Sequence, residues 1–128
     1  PKAGQGSTMA SYIYWQKQIG YQGSQSTDTI GEAVVDLSPF GCAKIVAYIS
    51  AISNAQLLLQ TAPSDDPTLW SDVGSVTISS TGKTAVFLKA TNPTDNNMER
   101  LLRWKIHPTA TSWSITFSLH LLGYQNAL

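Results

Sequence analysis

Cys42 is the only cysteine in 128 residues, so no disulfide can form within this stretch, and the covalent framework of small secreted domains is excluded. No histidine stands near it in sequence, which leaves Cys42 as a small residue at a strand start rather than an activated thiol. Charge is scarce and balanced, with eight Lys and Arg against eight Asp and Glu. A weak whole-molecule field gives no reason to expect nucleic acid or an anionic membrane as partner. No apolar run approaches the roughly 20 residues of a membrane helix, and a signal peptide is not expected. The start Pro1-Lys2 is what removal of an initiator methionine before proline leaves, and the expectation is a product made in the cytoplasm. Helical periodicity is missing as well.

What remains is a hydroxyl- and amide-rich chain whose apolar residues alternate. Pro1 to Ala10 is small, polar and glycine-rich, without a face to bury, so residues 1–11 are expected to form an arm, free or ordered on a neighbouring subunit, and residues 12–128 a single domain. Tyr12 to Gln18 reads as a strand with Ile13 and Trp15 on one face and Tyr12 and Tyr14 on the other. Gly20 to Gly31 reads as a loop, Ala33 to Leu37 as a short strand, and Ser38-Pro39-Phe40-Gly41 as a turn. In Lys44 to Ser53 neither alternating face is plainly wet, which points to a central strand covered on both sides.

Ala55 to Val73 is a hairpin. Leu57 and Leu59 alternate with Gln56, Leu58 and Gln60; Pro63-Ser64-Asp65-Asp66-Pro67 reverses the chain; Trp70 and Val73 return to an apolar layer. Val76 and Ile78 face inward in Gly74 to Ser80, Thr84 to Ala90 is a further strand, and Thr91 to Asn97 is a polar loop. Leu102, Trp104 and Ile106 then alternate with Arg103, Lys105 and His107. The clearest period of two sets Trp113, Ile115, Phe117, Leu119 and Leu121 against Ser114, Thr116, Ser118 and His120. About eight strands, spaced about 8 to 12 residues apart, predict an all-β fold: an antiparallel β-sandwich of jelly-roll type. Trp70, Trp104 and Trp113 are the expected structural anchors.

Catalytic residues are not expected. No nucleophile motif or triad signature is present, and His107 and His120, on the solvent faces of the last two strands, lack metal-ligand spacing. Asp65, Asp66 and Asp72 could supply calcium oxygens, but aspartates at a reversal more commonly bond their own backbone. No cofactor or metal is therefore assigned. Arg103 and Lys105, with Arg100 and His107, form the one basic concentration, a solvated strand face or a match for an acidic patch on another subunit. Tyr12, Tyr14, Tyr21 and Tyr124 are candidate interface residues, and Tyr48 shares the reading wherever it is not in the core, since an exposed tyrosine offers apolar area and a polar handle to a protein or a sugar.

Leu57-Leu58-Leu59-Gln60-Thr61-Ala62-Pro63, the acidic turn and Trp70 resemble a segment of discoidin-like jelly-roll domains. Arg100 to Ile106 and Leu119-His120-Leu121-Leu122-Gly123-Tyr124 resemble that family's last two strands, in the same order. The family's bracketing cysteine pair is missing, so no binding residues are carried over. The pattern also resembles small structural proteins of tailed bacteriophages, used as capsid decoration, head or tail components. That resemblance implies a non-enzymatic structural protein of a virion or similar assembly, a homo-oligomer placed in the particle by protein contacts. The alternative is a carbohydrate-binding module with glycans as partners.

Overall fold

The computed structural model describes residues 10–73, 77–89 and 98–125. Nine strands are found among them: β1 (Ala10–Gly23), β2 (Thr29–Ile30), β3 (Val35–Asp36), β4 (Cys42–Ser53), β5 (Ala55–Ala62), β6 (Ser71–Asp72), β7 (Gly82–Lys89), β8 (Leu101–Pro108) and β9 (Trp113–Tyr124). They form two antiparallel sheets, one in the order β1-β9-β4-β7, the other β2-β8-β5-β6 with β3 also on β8.

This order is that of a single long hairpin rolled up on itself. Its tip is the turn between β5 and β6. Moving outward from that tip, β4 pairs with β7, β2 and β3 with β8, and β1 with β9, so residues roughly equidistant from the tip meet all the way down the ribbon. Rolling then brings β9 against β4 and β8 against β5 and closes the two sheets over one core, which is jelly-roll topology.

The inner faces follow the period of two. Leu57 and Leu59 of β5, Leu102, Trp104 and Ile106 of β8, and Ile115, Phe117, Leu119 and Leu121 of β9 are all fully buried or nearly so. Trp104 meets Phe117 edge-on at 5.1 Å and 81°, and the Tyr21 ring lies against both. Three indole N–H groups tie the β1–β3 region to this core. Trp15 Nε1 donates to the Ala33 carbonyl at 2.6 Å, Trp104 Nε1 to Gln16 Oε1 at 3.2 Å, and Trp113 Nε1 to the Gln25 carbonyl at 2.9 Å. Each satisfies a donor that would be costly to bury alone.

Several expectations are corrected. β1 runs on to Gly23, and β2 forms inside the supposed Gly20–Gly31 loop, because pairing with β9 and β8 satisfies backbone groups that the glycine-rich sequence left uncommitted. Ala10 and Ser11 pair with Tyr124 and Gly123, so the end of the expected arm belongs to the sheet. Positions 1–9, Val76 and the loop at 91–97 lie outside the described residues. Ile78 faces in, but as a single bridge to Leu57 rather than within a strand. β4 is central, as expected, yet its outer face is open, with Tyr48 exposed. Trp70 is absent from the buried core cluster, whereas Trp104 and Trp113 belong to it.

Candidate interface on the four-stranded sheet

Alternation that buries Ile45, Ala47 and Ile49 of β4, Val86 and Leu88 of β7, and Leu119 and Leu121 of β9 must turn their neighbours outward. Register then sets those neighbours in rows across the sheet. Leu122, Lys44 and Phe87 form one row, with Tyr12 of β1 opposite Leu122; His120, Val46 and Ala85 form the next; Ser118, Tyr48 and Lys83 form the third. Tyr12, Tyr14, Tyr48 and Phe87 expose 58, 45, 47 and 45% of their surface. Aromatic rings from three strands thus stand in solvent on one face.

The patch is ordered by its own contacts. His120 is stacked on Tyr14 with centroids 4.8 Å apart and planes 9° from parallel, and its Nδ1 lies 2.7 Å from the Tyr12 hydroxyl. Its Nε2 lies 3.3 Å from Ser118 Oγ. Lys44 Nζ sits 5.8 Å from the Phe87 ring centroid. A Ser–His pair invites a catalytic reading, but the far nitrogen of His120 meets the Tyr12 phenol rather than the carboxylate of a triad. Indeed, β1, β4, β7 and β9 carry Lys17, Lys44, Lys83 and Lys89 and no Asp or Glu.

The other sheet is different in kind. Arg103 and Lys105 point outward as predicted, but they are engaged within the chain rather than held free for a partner. Arg103 Nε donates to Gln60 Oε1 at 2.9 Å, and its guanidinium lies 4.1 Å from the Trp70 ring centroid. Burial pulls the guanidinium below its ordinary pKa, and the Asp65 charge works against that. Lys105 Nζ donates to Asp72 Oδ1 at 3.1 Å and lies 3.8 Å from Asp28 Oδ2, with only 15% of its side chain exposed. His107 Nδ1 lies 2.7 Å from Asp28 Oδ1. The acids that neutralise this strand come from β6 and from the segment before β2, which sequence spacing does not reveal.

The remaining candidates divide. Tyr12 and Tyr14 lie on the aromatic face. Tyr21 lies apart from them, partly buried with its ring packed on Trp104 and Phe117. Tyr124 is half-buried at the end of β9, where it pairs with both Ala10 and Cys42. His107 and His120 lie in different sheets, since β8 and β9 do not pair. Sequence reasoning names Tyr48 among the candidate tyrosines but does not single out Phe87 or His120 as interface residues, although the outward phase of Phe87 between Val86 and Leu88 is a signal it carries.

Asp65, Asp66 and Asp72 do not converge. Asp66 Oδ1 accepts from the Thr68 amide at 2.9 Å and the Thr68 hydroxyl at 2.8 Å, which lowers its pKa and makes it the turn cap. Asp72 accepts from Gln60 and Lys105 instead. Among the described residues, no group of three or more His, Cys, Asp and Glu is placed to hold a metal ion.

At one end of the sandwich, Gln22, Ser24, Ser53, Asn54, Ser112 and Ser114 surround an open depression of about 510 Å³ beside Trp113. Its side chains are hydroxyls and amides, with no ionisable group.

No family model matches this sequence, and no curated protein matches it. Among solved structures, the chain is similar to one from the Bacillus endospore appendages, a novel family of disulfide-linked pili, at 9% identity and a TM-score of 0.46, covering 92% of each chain. It is also similar to Aeromonas hydrophila PliG, a periplasmic lysozyme inhibitor of g-type lysozyme, at 10% identity and a TM-score of 0.45, covering 89% of this chain and 85% of the other.

Proposed function

We propose that this protein is a non-enzymatic structural component of a virion or similar assembly, and that it associates with other subunits through the outer face of its four-stranded sheet. The observation that carries this reading is the aromatic face itself. Tyr12, Tyr14, Tyr48 and Phe87 are all about half exposed on one ordered surface, whereas large exposed apolar patches are uncommon on proteins that act alone. Rigid tyrosines bury much area at little entropic cost, which suits them to anchor a contact. The internal bonds of Arg103 and Lys105 support the same reading, since they occupy the two cations of β8 within the chain.

Sedimentation velocity across a wide concentration range tests the reading. The wild type associates, and Tyr48→Ser combined with Phe87→Ser weakens that association without lowering the melting temperature. A wild type that stays monomeric at every concentration and does not co-sediment with particles sinks it.

Carbohydrate binding is the second reading, favoured by the uncharged hydroxyl and amide lining of the depression beside Trp113. A glycan array tests it, and binding abolished by Asn54→Ala would support it. An array without signal removes it.

A further inference from the structure

The charges of this neutral chain are sorted between the four-stranded sheet and the rest of the described chain. Strands β1, β4, β7 and β9 hold four lysines and no carboxylate, while the remainder of the described chain holds seven carboxylates against Arg100, Arg103 and Lys105. Exposed apolar side chains are sorted in parallel. The lysine-bearing sheet shows aromatic rings, whereas Ile30, Val34 and Leu69 are the exposed aliphatics elsewhere, in the same segments as Glu32, Asp36, Asp65 and Asp66.

An isologous contact would set the aromatic face against its own copy, bringing Lys44, Lys83 and Lys89 toward the same lysines across a two-fold axis. Like charges brought together at a desolvating interface oppose that arrangement. The acidic, aliphatic side of a second copy offers opposite charge and matching apolar area. We propose, resting on the assembly reading above, that the occupant of the aromatic face is the acidic side of another copy of this chain. The contact is heterologous and head-to-tail. Such contacts propagate into rings or open filaments rather than stopping at a dimer.

A charge-swap pair tests the polarity. One variant carries Lys44→Glu and Lys83→Glu, reversing the aromatic face. The other carries Glu32→Lys and Asp65→Lys, which reverses the acidic side and leaves the turn-capping Asp36 and Asp66 in place. Circular dichroism and thermal melts establish that each folds; the milder Lys44→Gln with Lys83→Gln, and Glu32→Gln with Asp65→Asn, replace a variant that does not.

Each charge-reversed variant alone is expected to be monomeric, and an equimolar mixture to recover wild-type association, because each then meets its opposite. Each neutral variant is expected to associate weakly alone, and their mixture to gain one intact contact and stop at heterodimers, because only the aromatic face of one and the acidic side of the other keep their wild-type charges. Raising salt from about 50 to about 500 mM should weaken wild-type association about tenfold or more, since exposed charges are screened beyond a few ångströms at the higher value.

Failure of the mixture to associate overturns the proposal, as does wild-type association by the acidic-side variant alone; both outcomes leave the broader assembly reading standing. A wild type that never associates removes that reading itself.

Discussion

Arg103 lies with its guanidinium 4.1 Å from the centre of the Trp70 ring, on the outer surface of the five-stranded sheet. The contact holds the incoming end of β6 against β8 from outside, not from within the core. Trp70 Nε1 is shielded from solvent and finds no acceptor among the described residues. Trp70→Ala is therefore expected to cost about 1 to 2 kcal/mol, the scale of a partly desolvated cation–π pair. Trp104→Ala should cost about 3 to 5 kcal/mol, as for a buried aromatic. Chemical denaturation of both variants checks the order, and equal losses would contradict the placement of Trp70.

Gly31 is pressed against Trp104. Its amide donates to the Trp104 carbonyl at 2.9 Å, and a Cβ there would overlap Trp104 Cε2 and lie 2.5 Å from Cδ2. Trp104 is fully buried and cannot retreat. Gly31→Ala should cost about 1 to 3 kcal/mol through overpacking. Gly82→Ala provides the contrast. Its position has φ of 113° and no neighbour within 4 Å, so the loss there, about 1 to 2 kcal/mol, is backbone strain alone. Adding a second substitution, Trp104→Phe, should recover part of the Gly31→Ala loss and none of the Gly82→Ala loss.

Asp72 links pH to stability. Burial alone would raise its carboxyl, but hydrogen bonds from Gln60 and Lys105 and the Lys105 charge outweigh burial and hold it below the ordinary value. A carboxyl with a depressed folded-state pKa contributes stability above its unfolded value of about 3.9, and that contribution disappears as pH falls through the folded value. The melting-temperature gap between wild type and Asp72→Asn should be widest near neutrality and close on going down to about pH 2. A gap that widened in acid would reverse the assignment.

Asp66 should tolerate a change of charge but not loss of its oxygen. Both of its bonds are accepted at Oδ1, from the amide and hydroxyl of Thr68. Asp66→Asn retains an acceptor and should leave the melting temperature nearly unchanged, while Asp66→Ala should lower it. Calcium titration into the wild type should leave the melting temperature unmoved. A rise abolished by Asp66→Asn would make the turn a cation site.

The all-β class and the buried sets were legible in the sequence, because side chains alternate locally along every strand. Leu102, Trp104 and Ile106, or Ile115, Phe117 and Leu119, need no knowledge of their neighbours to be recognised as one face. The reversal at Pro63 to Trp70 was legible for the same local reason, and tertiary structure gave it its larger role as the tip of the whole rolled ribbon. Pairing decided the rest. Tyr21 could be told from Tyr12 only once β1, with its register shifts against β9, had set one ring on Trp104 and the other in solvent. Lys105 read as a free cation until folding brought Asp28 and Asp72 to it from distant segments. Sequence by itself determined which residues of the alternating strands must leave water, though not that Trp70 would stay outside the core; only tertiary structure decided which of the others meet one another, because charge pairing and ring contacts depend on distances across strands far apart in the chain.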